Sequence, residues 1–424
     1  MTASPPEPQQ QTEWPITTAA NHGLPVDTSL PQVAIYEPEF AADPPAAYRE
    51  MRQRFGSLVP VDIGAPATLV TSYRDALEIL THEERYPTDP TTWAQQVSPG
   101  CPALPILGPR PDALHTSGAT RARYRLAISE TLAEVNQFAL EDTVKRVAVA
   151  LINRFCGGDS ADLLGQFARP LVVEVVHEVL GLSPEAGQHA LNAIMTLRAT
   201  DPASVKIGNR MLEEAMSDTI SAKRAAPGVD VTSWLLKHRS GLSIDEVICQ
   251  LAMLYRFTEP TWNLIANAVL RAMTDEPFGD DAVGGALSPQ EAIEEVLYSD
   301  PPLAIAFARF PLQMQILDGG TVHEHEPILV GLAACNSDPA AVGKERTGRG
   351  NRAHLSFGAG AQRCPAESLA TLIAREALAQ LWDALPDIEL AVPAESLERV
   401  ANPFLSAVVA LPVRFRPCPQ LELP

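Results

Sequence analysis

Basic residues are scarce in this chain. Lysine and arginine together number 32 against 52 aspartates and glutamates, and the formal net charge is −20. A surface this acidic argues against nucleic acid and anionic membrane as partners. Long apolar runs are missing as well: no stretch approaches the ~20 residues that a membrane-spanning helix needs. No basic segment followed by an apolar core stands near the first residue, so no secretory leader is expected. Cysteines are few, and none of Cys101, Cys156, Cys249, Cys335, Cys364 and Cys418 falls into a CxxC pair or a zinc-ligand spacing. Such a set fits a reducing cytoplasm. Charge blocks and internal repeats are absent too.

What is there is enough for a large core: 424 residues, 46% of them hydrophobic. Length alone would allow two or three domains. Residues 1–31 are rich in Pro, Gln and Thr without a period, and read as a flexible N-terminal segment. Beyond them the periodicity is mainly helical. A short helix through Tyr48, Met51 and Phe55 precedes two apolar runs, 58–63 and 67–71, that read as a β-hairpin. A helix through Ala76, Leu77 and Leu80 comes next, then a Pro-rich, loop-like stretch over 86–114 that contains Trp93. Helices fill most of 139–224. A long apolar segment over 242–273 is interrupted once, at Thr258–Glu259–Pro260–Thr261, where a proline removes an N–H and kinks the helix. Residues 326–334 form an extended apolar run closed by turn chemistry at Asn336–Ser337–Asp338–Pro339, and a last hairpin is expected from 388–391 and 405–413.

The stretch with the most chemistry is Phe357–Gly358–Ala359–Gly360–Ala361–Gln362–Arg363–Cys364–Pro365–Ala366. Two glycines on alternate positions make it a loop, and after Pro365 a helical period runs unbroken to Pro386. Cys364 thus stands at the entrance of a helix, where backbone N–H groups and the dipole favour a negatively charged sulfur. A lone cysteine is more often a small buried hydrophobe. In a Gly-rich turn that lets the backbone approach something flat and bulky, it suits the axial ligand of a haem iron.

This stretch resembles the cysteine-ligand loop of the cytochromes P-450, the haem-thiolate monooxygenases, whose pattern is FGxGx[HR]xCxG. Phe357, Gly358, Gly360 and Cys364 match; Gln362 stands where the family has His or Arg, and Ala366 replaces the last Gly. Two further landmarks keep the family order. On the distal helix, whose pattern is [AG]Gx[DE]T[TS], Glu259 matches the acid and Thr261 the last position. Arg256 and Phe257 replace the two small residues, and Pro260 replaces the Thr credited with guiding protons. On the ExxR helix, Glu295 fits the Glu but Tyr298 occupies the Arg position, leaving Arg349 or Arg352 to brace it. The Arg-less helix and the run Glu259–Pro260–Thr261–Trp262–Asn263 resemble a small actinobacterial subset of the family.

The resemblance implies one domain over 32–424, of mainly α fold with small β-sheets, the haem lying between a long distal helix and the cysteine loop. It implies haem b as cofactor with Cys364 as the metal ligand. Phe357, Gly358 and Gly360 would shape the loop around it. Arg121 and Arg125, in a stretch similar to the family's HxRxR with Arg121 in place of His, would hold haem propionates, as would Arg309 and His354. Glu259 and Thr261 would serve proton delivery. The implied activity is monooxygenation of a small hydrophobic substrate with electrons from a ferredoxin- or flavodoxin-type partner, in a monomeric, soluble bacterial protein with no membrane span. Because Arg256, Phe257, Pro260, Tyr298 and Gln362 all depart from catalytic or bracing positions, a second expectation stands beside it: a catalytically degenerate haem-binding relative acting as an accessory or regulatory partner.

Overall fold

The computed structural model describes residues 16–17, 32–35, 40, 43–199, 201–274, 288–342 and 352–422. Helix dominates, at 56%. The main core gathers around the helix Glu367–Ala384, whose Leu369, Leu372, Ile373, Ala377, Leu378 and Leu381 recur at three- and four-residue spacing and are all buried. That stripe packs against the helices Gln137–Ile152, Thr258–Thr274 and Pro289–Ser299. Leu378 is fully buried, so truncating it to Ala should cost about 2–5 kcal/mol. Two of the surrounding helices start on reciprocal caps: Ser243 with Glu246 opens Ile244–Arg256, and Ser288 with Glu291 opens Pro289–Ser299.

A six-stranded mixed sheet lies apart from this core. Its order is Ile16–Thr17, Gln32–Ala34, Leu58–Asp62, Pro66–Val70, Ile328–Gly331 and Ile305–Arg309. The expected hairpin is the pair Leu58–Asp62 and Pro66–Val70, antiparallel with Asp62 opposite Pro66. The last pairing, Ile305–Arg309 on Ile328–Gly331, slips register between Ala306 and Arg309. Such an irregularity re-aims a side chain, and here it delivers Arg309 to the site. A smaller sheet joins Glu389–Leu390, Pro412–Arg414 and Ser160–Asp162, which includes the terminal pairing expected from sequence.

Three details differ from the sequence reading. The long apolar segment is two helices, Ile244–Arg256 and Thr258–Thr274, and the break falls at Phe257, ahead of the Thr258–Thr261 run. The cause is Pro260: its ring excludes the carbonyl of the residue four earlier, Arg256, so the helix parts one turn before the proline. The apolar run over 326–334 is extended only through Ile328–Gly331 and then coils into the helix Leu332–Asn336. Within the Pro-rich stretch, Thr91–Gln96 and Leu104–Leu107 are short helices. Of the segment 1–31, only Ile16–Thr17 falls within the described residues, paired with Gln32–Val33.

Candidate active site

The cysteine loop is folded by its own backbone. Cys364 N–H donates to the Phe357 carbonyl at 2.8 Å, and Gly358 N–H to that of Leu355 at 2.7 Å. Gly358 and Gly360 take left-handed φ values of +73° and +62°, which glycine adopts without penalty. Gly360 also has no room for a side chain, since a Cβ there would stand 2.8 Å from the Leu80 carbonyl at the end of helix Tyr73–Thr81. So held, Phe357, Gly358 and Cys364 line one side of a large, mostly apolar cavity. The Cys364 sulfur accepts the N–H of Ala366. Burial nevertheless pushes the thiol up, and only then do Ala366, Arg125 and Arg363 pull it down. The helix begins at Glu367, three residues on. Its dipole therefore acts at the edge of its short range, and desolvation outweighs it.

Arg121, Arg125 and Arg309 converge on this loop. Arg121 is buried, donating to Glu83 at 2.6 Å and to the Ala361 carbonyl at 2.5 Å. Arg125 lines the cavity and donates to the Arg363 carbonyl at 2.6 Å. Arg309 also lines the cavity; burial pulls its pKa down to about 10, and the charge of Arg121 adds to the fall. Among the described residues, Arg121 Nε and Gln362 Oε1 are buried without a partner. Arg123 turns the other way and pairs with Glu246 on the cap of Ile244–Arg256. His354 does not line the cavity: its Nε2 lies 3.8 Å from Glu294, and its ring tilts against Phe357 at 6.2 Å.

The bracing of the loop runs through residues that the motif does not mark. Glu295 reaches Arg271 at 3.4 Å, across to the helix Thr258–Thr274. Glu294, one residue before it, is the acid that meets the loop, at 3.2 Å from Arg352. Asn336 and Ser356 both donate to the Leu297 carbonyl. Arg349 lies outside the described residues.

On the opposite wall of the cavity stand Phe257, Pro260, Thr261 and Leu264. The Thr261 hydroxyl donates to the Phe257 carbonyl at 2.9 Å. Glu259 and Arg256 face an adjoining cavity. Glu259 accepts Arg198 Nε at 2.6 Å, and burial pushes its carboxyl up against that charge. The kink thus separates the two residues expected to share proton delivery: Thr261 looks toward Cys364, Glu259 toward the second cavity.

No protein-family model matches the chain. Cytochrome P450 monooxygenase PikC of Streptomyces venezuelae is 28% identical to it, over 89% of this chain and 92% of PikC. Cytochrome P450 107B1 of Saccharopolyspora erythraea is 26% identical, over 91% of this chain and 98% of its own length. The solved structure of CYP154A1 from Streptomyces coelicolor A3(2) superposes with a TM-score of 0.79 at 25% identity, covering 88% of this chain and 98% of that one. Over most of its length the chain is similar to bacterial cytochromes P450.

The cofactor of a P450 is haem b, and the residues present fit it. A cysteine sulfur borders a large, mostly apolar cavity. Beside it two buried guanidiniums, Arg121 and Arg309, both feel the carboxylate of Glu83, and Arg121 keeps an unpartnered Nε. Arg125 and Arg309 on the cavity wall, with buried Arg121 bound to the loop at Ala361, suit an anionic group such as a pair of propionates. Asn336, Ser356 and the arginines of the second cavity are not legible as site residues in the sequence. Asn336 reads there as part of a turn, Arg256 only as a departure from a motif, and no motif marks the others.

Proposed function

We propose that this P450 inserts one oxygen atom of dioxygen into a small hydrophobic substrate, using electrons from an external ferredoxin- or flavodoxin-type partner in the cytoplasm. The observation that carries this reading is Cys364 on the wall of a large apolar cavity with arginines at one side. Bound haem would supply dioxygen activation, with the Cys364 thiolate lending it electron density. The chain's own residues do the rest. Arg121, Arg125 and Arg309 hold the propionates, with Phe357 and the two loop glycines shaping the ligand loop. Met253, Leu254, Phe257 and Leu264 keep water out and offer the substrate an apolar wall. Thr261 presents its hydroxyl oxygen as a hydrogen-bond acceptor for a delivered proton. All six cysteines are free, in keeping with a reducing compartment, and among the described residues no helix is long and apolar enough to cross a membrane.

The distal wall favours a second reading, a haem-binding P450 with little turnover that works as an accessory partner. Its supports are Glu259 paired with Arg198 away from Cys364, and the Thr261 proton engaged by Phe257. Two measurements separate the readings. A carbon monoxide difference spectrum of the reduced protein should show the thiolate-type band, lost in Cys364→Ala; an unchanged band in that variant would move the ligand elsewhere. Product formation with a reconstituted redox partner then distinguishes enzyme from accessory subunit.

A further inference from the structure

Two arginines border the second cavity and hydrogen-bond to neutral groups. Arg256, at the end of helix Ile244–Arg256, borders it, as does Arg110 from the Pro-rich stretch. Among the described residues neither guanidinium forms an ion pair. Arg256 donates to Asn209 Oδ1 at 2.8 Å, a neutral acceptor. Arg110 donates to the carbonyls of Ile106, at 2.9 Å, and Pro105, and lies 3.5 Å from His115 Nε2. Asn209 completes the row by donating to the same Pro105 carbonyl at 2.9 Å.

The two carboxylates on these walls are already engaged. Asp112 is 2% exposed and accepts His115 Nδ1 at 2.8 Å and the N–H groups of Leu114 and His115 at 2.8 and 3.0 Å. Glu259 accepts Arg198. Two guanidiniums and two carboxylates thus line the cavity, but the carboxylates accept other donors, inside a protein whose overall charge is strongly negative. The charge of Asp112, and after it that of Glu213 on the exposed face of helix Pro202–Ala225, acts on Arg110 and Arg256 without a direct ion pair. Burial pulls Arg256 down to about 9, and the charge of Arg110 is the next largest cause. A half-buried cation in this position gains from an anion that enters the cavity. The remaining wall is apolar, with Ile106, Ile194, Leu197, Val205, Met253 and Phe257. Leu114, Met253, Phe257, Pro260 and Leu303 line both cavities, so one molecule reaching past Phe257 would span from Arg256 toward Cys364.

We infer that the substrate is an organic carboxylate, its acid group held by Arg256 and Arg110 and its apolar body directed toward Cys364. This rests on the monooxygenase reading for the reaction, but the anion site is testable without turnover. It assigns to Arg256, which sits where the family pattern has a small residue, the choice of substrate. An uncharged analogue loses the charged hydrogen bonds while keeping the apolar contacts.

The test is calorimetric titration of the haem-loaded protein with decanoate against methyl decanoate, and with naphthoate against methyl naphthoate. At least one acid should bind about tenfold or more tightly than its ester, the scale of a hydrogen bond to a charged group. Arg256→Gln should weaken that acid by a similar factor and leave its ester unchanged. Equal affinity of acid and ester in both pairs of the unmodified protein overturns the inference, whether or not the variant folds. So does a preference that survives intact in a folded Arg256→Gln protein. The carbon monoxide spectrum is read separately. A missing thiolate band with acid preference retained removes the monooxygenase reading and leaves the anion site standing. A normal band without acid preference does the reverse.

Discussion

Asn336 donates from one side-chain amide to Ser356 Oγ at 3.0 Å and to the Leu297 carbonyl at 3.0 Å, while its Oδ1 accepts Leu355 N–H at 2.8 Å. One fully buried residue therefore ties the start of the cysteine loop to the helix Pro289–Ser299. It supplies a mechanical link between that helix and the loop, beside the Glu295–Arg271 pair. It does so with neutral groups, which avoids burying an ion pair whose desolvation would offset its attraction.

Replacing Asn336 with Ala should leave Leu355 N–H and the Leu297 carbonyl poorly satisfied. The expected loss is about 1–3 kcal/mol in denaturant unfolding, with faster haem dissociation from the loaded protein. Unaltered unfolding and haem retention would show that Ser356 alone braces the loop.

How much of this is legible in the sequence depends on how local the signal is. The cysteine loop reads directly from Phe357 to Cys364 because two glycines, a proline and the helical period after them all lie within a short span. Arg309 is placed by family position, yet what aims it is a register slip between two strands distant in sequence, which no local pattern records. Glu259 matches a motif but faces another cavity, because Pro260 breaks the helix one turn upstream and rotates the residues beyond the break. His354 stands beside the loop in sequence and meets Glu294 in space. Asn336 carries a turn residue's identity and a bracing residue's role; only the tertiary contacts distinguish them.

The arginines around the loop yield a second expectation. Arg121 and Arg309 are both buried, and the charge of Arg121 lowers the pKa of Arg309; on the proposed reading they hold the propionates together. The double variant Arg121→Leu with Arg309→Leu should release haem to apomyoglobin faster, by about 1–3 kcal/mol for each charged hydrogen bond lost. Each single variant should fall between. Retention equal to the parent in a folded double variant would take the propionates away from this pair.

A pH effect is expected far from the haem. His177, on helix Arg169–Leu180, stacks on Tyr255 with ring centroids 5.7 Å apart, and its Nε2 lies 2.8 Å from the tyrosine oxygen. Burial depresses its pKa from 6.5 to about 4. Between those values the unfolded chain takes the proton and the folded one does not. Stability from the neutral ring is therefore complete above about 6.5 and is lost as pH falls toward 4. The loss should be about 1–3 kcal/mol across that window. Comparing the parent with His177→Gln in urea at stepped pH isolates it from the carboxylates: the variant's curve should be flatter there. Parallel curves would mean that the ring is not held neutral.

The last expectation concerns coupling of electron delivery to product. Pro260 and Thr261 both face the cavity that Cys364 lines. Pro260 has no hydroxyl, the Thr261 proton goes to the Phe257 carbonyl, and the Glu259 carboxylate is bound to Arg198 across the other cavity. None of these groups is set to hand a proton toward Cys364's side without first breaking a hydrogen bond. The parent should therefore form little product per NADPH consumed with ordinary redox partners, the remainder appearing as hydrogen peroxide. Pro260→Thr restores a hydroxyl at that wall and returns an N–H to the helix, so it should raise the ratio of product to NADPH several-fold without tightening substrate binding. The measurement is that ratio, with peroxide counted alongside, for parent and variant on the same substrate. Efficient coupling in the parent would mean that water or Thr261 delivers protons unaided. Poor coupling that Pro260→Thr leaves unchanged would place the obstruction at Phe257, whose ring stands between the two cavities where the family pattern has a small residue.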